Sequence, residues 1–190
     1  MTDEQLAYHE AMYRTGDDPW HIENSRYERR KREVLLACLP APHYGRAFEP
    51  ACGAGALTAM LRPRCHEVVA SDAAARAVEL TRRRLPGIRV EQRIMPSQWP
   101  SGSFDLIVLS EFGYYLSEAD WRQVCRLSAQ SLAGDWTIVA CHWRHDFAER
   151  RLDTDRLHRV LAESLPAPAH TSVRDEHFRL DVFSAVPTPV

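Results

Sequence analysis

Lysine is nearly absent from this chain. Lys31 is the single lysine among 24 basic side chains, all the others being arginine. Base composition alone can produce such a bias, so it carries no functional weight by itself. An excess of either charge is also missing. The formal net charge is −2, so no overall basic field gathers nucleic acid or an acidic membrane. No stretch approaches the roughly 20 apolar residues that span a bilayer, and the polar opening MTDEQLAYHEAMYR lacks the apolar centre of a signal peptide. The cysteines (Cys38, Cys52, Cys65, Cys125, Cys141) are odd in number and scattered, without a C-x-x-C pair. That argues against a disulfide framework or a zinc site and implies a reducing, cytoplasmic setting. Repeats, low-complexity tracts and long linkers are missing too, so the 190 residues read as one domain able to bury a core.

What is present is an alternation of short apolar runs with helical patterns. Residues 1–24 carry Tyr8, Tyr13 and Trp20 among polar residues and read as an N-terminal arm. From Ser25 a helix is expected, with Tyr27, Val34, Leu35, Cys38 and Leu39 on one face and Pro40 as its stop. Strands are expected over 47–49, 68–71, 88–92, 104–110 and 137–141, and the run FRLDVFSAV makes a last one. Between them fall the helix-like ALTAML, a helix over 73–85, another with Trp121, Val124, Cys125 and Leu132 inward, and one marked by Leu157, Val160, Leu161 and Leu165. Strands alternating with helices imply a parallel sheet covered on both faces. The continuous apolar run FDLIVLS is what a central parallel strand needs. On such sheets ligands bind beyond the carboxyl ends of the strands, where the strand order reverses.

The segment FEPACGAGALT reads as strand, acid, small-residue loop and helix. Gly53 and Gly55 allow a tight turn and close approach of a ligand, and the helix that follows offers free N–H groups. A G-x-G alone is equally a plain strand-to-helix turn. Glu49 ends the strand, where a carboxylate can meet a ligand ammonium group. Asp72 ends the next strand about twenty residues on, the place for an acid that recognises ribose. Thr58 stands where a dinucleotide fingerprint would have its third glycine, which counts against a nicotinamide-dependent oxidoreductase.

With these pieces in order, and with WPSGSFDLIVLS and EFGYYL behind them, the chain over 45–143 resembles the class I S-adenosylmethionine-dependent methyltransferases. DDPWHIENSRYERRK, SEFGYYL, CHW and FRLDVF further resemble the NodS-type nodulation N-methyltransferases and their bacterial relatives, across nearly the whole chain. The resemblance implies a Rossmann-like three-layer α/β sandwich with a mainly parallel seven-stranded sheet, residues 1–44 forming an arm and helix over the cofactor. It implies a SAM-dependent methyltransferase, with S-adenosylhomocysteine as product. The acceptor it implies is the amine of a small molecule, such as an amino sugar or a deacetylated chitin-type oligosaccharide. Cofactor contacts then fall on Trp20, Arg30 (for the methionine carboxylate), Glu49, Cys52, Gly53, Gly55, Asp72, Ala73, Met95 and Ser110. Three departures stand out: Ala51 replaces a loop glycine, Ile94 replaces the acid that meets adenine, and LAGDW replaces a Pro-Gly-Gly turn. Ala51 and Ile94 keep a rival reading open, a non-catalytic SAM-binding partner subunit.

Methyl transfer from a sulfonium is an in-line displacement served by positioning and water exclusion, and an amine acceptor must arrive unprotonated. Glu111 after the fourth strand and His142 after the fifth are the candidate catalytic groups. The alternatives are a helix N-terminal acid for Glu111 and a packed or surface imidazole for His142. Tyr114, Tyr115 and Trp143 are the candidate acceptor contacts. His142 and His145 form an H-x-x-H without acidic or cysteine partners, so no metal is expected. ERRKRE over 28–33 mixes signs and reads as a solvated helix face.

Overall fold

A computed structural model describes residues 2–185. Helix α1 (Asp3–Thr15) starts at Thr2, whose hydroxyl accepts from the Gln5 N–H while the Gln5 side chain bonds back to Thr2. Helix α2 (Arg26–Ala37) starts at the Ser25 cap, which accepts from the Glu28 N–H. Then follow β1 (Tyr44–Pro50), α3 (Ala56–Leu61), β2 (Cys65–Asp72), α4 (Ala75–Arg84), β3 (Arg89–Gln92), β4 (Phe104–Ser110), α5 (Glu118–Gln130), β5 (Leu132–Trp143), α6 (Thr154–Ser164), β6 (Ala169–Arg174) and β7 (Phe178–Ser184).

The seven strands form one sheet in the order β3-β2-β1-β4-β5-β7-β6. The first five run parallel, and β7 enters antiparallel between β5 and β6. Side chains alternate across this sheet. On β4, Ile107 and Leu109 face α5 and α6 through Trp121, Val124, Leu157 and Val160. Leu106 and Val108 face α2 and α3 through Leu35, Leu57 and Leu61. Each such fully buried side chain contributes about 1.5–3 kcal/mol, and the two layers hold the sheet rigid. Strand order reverses between β1 and β4, so the crevice opens beyond Pro50 and Ser110.

Five expectations change. The arm of 1–24 contains a full helix, α1, whose capping pattern T-x-x-Q is visible in the sequence. Leu132 opens β5 instead of closing the preceding helix, and Leu165 caps α6 from outside it. The edge strand β6 gave no sequence signal because its residues are polar and mostly exposed. The expected last strand ends at Ser184, and its final residue, Val186, lies outside the described residues.

Candidate functional site

Beyond the ends of β1 and β4 lies a cavity of about 560 Å³, with a smaller one of about 80 Å³ beside it. Tyr13, Trp20, Ile22, Glu28, Lys31, Ala51, Gly53 and Glu111 line both. Among the described residues three non-glycine residues have left-handed backbone: His21 (φ 55°), Ala51 (φ 55°) and Glu111 (φ 60°). All three line this site. Ala51 thus keeps the backbone path that a glycine would take, against a local strain of about 1–2 kcal/mol.

The loop after β1 is held from two sides. Asp72 Oδ2 accepts from the Gly53 N–H at 2.9 Å and Oδ1 from the Ala74 N–H at 2.9 Å. Thr81 of α4 donates to the Gly53 carbonyl at 2.7 Å. At Gly55 (φ 79°) an added Cβ would lie 2.8 Å from Thr81 Cγ2, so only glycine lets the loop seat on α4. Burial raises the Asp72 carboxyl, against the pull of these backbone bonds. With the Ala73 N–H as a third donor, the carboxylate still keeps a lone pair for a ligand hydroxyl.

Two buried polar atoms in the smaller cavity match an amino-acid ligand. Glu49 Oε2 and Arg32 Nε are both sealed from water without a hydrogen bond of sound geometry, the Thr58 hydroxyl being the near neighbour of Glu49. Burial lifts the Glu49 carboxyl to about 8. An arriving ammonium group would restore its charge, and a carboxylate would satisfy Arg32. Gly53, Cys52 and Ser110 complete this wall. The Cys52 thiol is buried against Thr81 Oγ1 at 3.9 Å, and burial raises its pKa. Asp72, Ala73, Arg93 and Met95 continue the wall into the larger cavity. This lining fits a methionine-bearing nucleoside, whose amino acid would meet Glu49 and Arg32, its ribose Asp72, and its base Ala73 and Met95.

The far end of the larger cavity is aromatic, built from Tyr8, Tyr27, Tyr114, Tyr115, Trp143 and Phe147. Its polar feature is a charge cluster around Lys31, which is 4% exposed, with Nζ 2.8 Å from Glu28 Oε1 and 3.0 Å from Glu111 Oε1. Burial alone would lower the Lys31 pKa, but Glu111 and Glu28 raise it overall, so the ammonium is kept. Glu111 Oε2 accepts from the Tyr114 hydroxyl at 2.6 Å. The Tyr27 hydroxyl is buried beside them with no hydrogen-bond partner among the described residues. α1 closes the chamber from above: His9 packs edge-on against Tyr115, the Gln5 amide donates to the Tyr115 carbonyl, and Glu10 accepts from the Ala75 N–H at 2.7 Å.

Of the expected site residues, Trp20, Glu49, Cys52, Gly53, Asp72, Ala73, Met95, Ser110, Glu111, Tyr114, Tyr115 and Trp143 line one or both cavities. Gly55 shapes the loop from behind. Two residues stand elsewhere. Arg30 is 55% exposed, pairs with Asp175 at 2.8 Å and lies over Phe178, so it does not face the cofactor wall. Arg32, two residues on and thus about 200° around the helix, lines the smaller cavity instead. His142 is wholly buried and lines neither cavity, because alternation along β5 turns it to the opposite sheet face from Trp143. An imidazole sealed there has no reach to an acceptor. Sequence reading missed Arg32 and Lys31. The only mark on Lys31 was its rarity, and the mixed run 28–33 contains both residues. His145 pairs with His177 at 2.9 Å, away from His142, and no group of three or more potential metal ligands occurs among the described residues.

The sheet order, the loop after β1 and the chamber together define a class of fold, that of the class I S-adenosylmethionine-dependent methyltransferases. The NodS family (Nodulation protein S) matches residues 5–162, and the chain belongs to that family. A crystal structure from Pseudomonas syringae, provisionally assigned as a methyltransferase, is 42% identical over 84% of this chain and 99% of its own, with TM-score 0.75. The N-methyltransferase NodS of Bradyrhizobium japonicum WM9, solved with S-adenosyl-L-homocysteine, shares the fold at TM-score 0.77 and 24% identity, over 95% of this chain and 96% of that one. Nodulation protein S of Rhizobium tropici is 34% identical over 107 residues, 54% of this chain. The matched stretches span 45% to 66% of the curated relatives' own length.

Proposed function

We propose that the protein transfers the methyl group of S-adenosylmethionine to the nitrogen of an amine carried by a small molecule or oligosaccharide, with amino sugars first among the candidates. The observation that carries this reading is the Glu111 carboxylate, standing where the cofactor wall meets the aromatic chamber. NodS of Bradyrhizobium japonicum is itself described as an N-methyltransferase, which supports nitrogen as the target.

Bound along Glu49, Asp72 and Met95, S-adenosylmethionine supplies an electrophilic methyl on a positively charged sulfur. Glu111 holds the acceptor amine with its remaining lone pairs and receives its proton as the nitrogen–carbon bond forms. Loss of solvent around the amine within the aromatic chamber favours its uncharged, free-base form. The aromatic walls offer flat faces to a sugar or other ring and keep water from the reacting atoms. The thiols are unpaired in the structure and no helix of the described residues is long and apolar enough to cross a membrane. The unpaired thiols support a reducing, cytoplasmic site of action.

The test is incubation with S-adenosylmethionine and chitosan oligomers or glucosamine, followed by mass spectrometry of the acceptor. Addition of one methyl group on nitrogen is expected, with Glu111→Gln lowering kcat at least tenfold. Tight S-adenosylhomocysteine binding without turnover on any amine would favour the partner-subunit reading instead.

A further inference from the structure

Two buried histidines and one aspartate connect the back of the sheet to the acceptor chamber. His142 Nε2 lies 3.3 Å from the Gly113 N–H. His142 Nδ1 lies 3.2 Å from His158 Nε2 on α6, and His158 Nδ1 lies 2.7 Å from Asp181 Oδ2 on β7. Arg179 Nε at 2.9 Å and the Ser172 hydroxyl at 2.6 Å hold the Asp181 carboxylate. All three members of the chain are at most 2% exposed.

Only one arrangement of protons satisfies every contact. The Gly113 N–H can only donate, so His142 Nε2 must be bare and the ring proton must sit on Nδ1. That proton points at His158 Nε2, which must therefore accept, leaving the second ring proton on His158 Nδ1 to be donated to Asp181. Both imidazoles are neutral in this state. Burial lowers the pKa of each, most strongly for His142. Burial alone would raise the Asp181 carboxyl, but the bonds from His158 and Ser172 bring it down to about 2.

The far end of the chain grips the short 3-10 turn Gly113–Tyr115. An added Cβ at Gly113 would lie 2.5 Å from Leu157 Cδ1 and 2.9 Å from the Trp121 ring, so glycine is what lets the turn approach the imidazole. The His142 ring also packs edge-on against Tyr114 at 5.6 Å, and Tyr114 in turn donates to Glu111. We infer that Asp181, His158 and His142 form a positioning relay, which fixes the turn after β4 by offering the Gly113 N–H a bare Nε2 and thereby sets the Tyr114 hydroxyl and the Glu111 carboxylate for the acceptor. His142 acts through Gly113 and Tyr114 and touches no substrate. The inference rests on the methyltransferase reading only for its consequence in turnover.

Two substitutions separate the bond from the packing. In His142→Asn an amide nitrogen replaces Nδ1 and nothing replaces Nε2. In His142→Gln the amide oxygen reaches the Nε2 position and can accept from Gly113. Both lose the ring contacts with Tyr114 and Trp121. The experiment combines 15N NMR of the wild-type imidazoles with amide hydrogen exchange at Gly113 in both variants. It adds S-adenosylhomocysteine titration and steady-state kinetics on chitosan oligomers. Expected are the Nδ1–H tautomer at both histidines, Gly113 exchange faster in His142→Asn than in His142→Gln by about tenfold, and unchanged S-adenosylhomocysteine affinity. The kcat on the oligomers should be lower in His142→Asn than in His142→Gln. An Nε2–H tautomer at His142, or equal Gly113 exchange in the two variants, would overturn the relay. Absence of turnover in the wild type would count against the acceptor reading alone, because the tautomer and exchange results decide the relay without an acceptor.

Discussion

Lys31 Nζ stands 3.0 Å from Glu111 Oε1, joining the helix that precedes the sheet to the residue that follows its fourth strand. The contact is nearly dry on the lysine side and partly open on the glutamate side, which is 29% exposed. It gives the acceptor end of the cavity a fixed charge pattern, with Glu28 as the third member.

Removing the ammonium leaves two carboxylates facing each other in a half-buried wall. Lys31→Met should therefore lower unfolding free energy by about 3 kcal/mol, measured by urea denaturation. Adding Glu28→Gln and Glu111→Gln to it should restore at least half of the loss. A Lys31→Met protein as stable as the wild type would mean the cluster is not formed in solution.

Arg32 and Arg30 give opposite expectations for the cofactor. Arg32→Ala should weaken S-adenosylhomocysteine binding at least tenfold, since a charge-assisted bond in a dry site contributes about 1.5–3 kcal/mol. Arg30→Ala should leave affinity within about twofold, because its partner is Asp175 on the surface. The reverse ranking in calorimetry would contradict the assignment of Arg32 to the carboxylate.

The lifted Glu49 carboxyl sets a pH window. Its folded-state pKa of about 8 lies above the ordinary 4.5, so the folded chain keeps a proton that the unfolded chain has released. Stability then falls as pH rises from about 4.5 to 8, by at most about 1.4 kcal/mol for each pH unit of that window. Glu49→Gln should flatten this decline in denaturation curves taken at several pH values. A parallel decline in both proteins would assign the window to other groups.

Two left-handed positions of the loop, Ala51 and Gly55, differ in what they tolerate. Gly55→Ala should destabilise by about 1–3 kcal/mol, through left-handed backbone and the Thr81 contact together. Ala51→Gly, which removes a side chain from the same region of backbone space (φ 55°), should be neutral or stabilising by up to about 1 kcal/mol. Thermal denaturation of the two variants checks both signs.

Much of this site was legible because its residues follow strands. FDLIVLS spans β4 end to end, and the acids at Glu49, Asp72 and Glu111 sit at strand ends as apolar runs give way to loops. What escaped was orientation. His142 and Trp143 are neighbours in sequence but face opposite sides of the sheet, and a reading that places both at the same edge cannot separate them. Arg30 and Arg32 pose the same problem on a helix, where two positions change the face. Lys31 looked like part of a solvated charge run because its partner Glu111 lies 80 residues away and is brought near only by the packing of α2 on the sheet. The polar edge strand β6 and the weakly apolar helix α1 depend on tertiary contacts more than on local pattern.

The most direct test of the account is isothermal titration of the protein with S-adenosylhomocysteine, with NADH as the control. Micromolar or tighter binding of S-adenosylhomocysteine alone, weakened by about 1–3 kcal/mol in Asp72→Ala, is the predicted result. Absence of binding, or an affinity unchanged in Asp72→Ala, would contradict it.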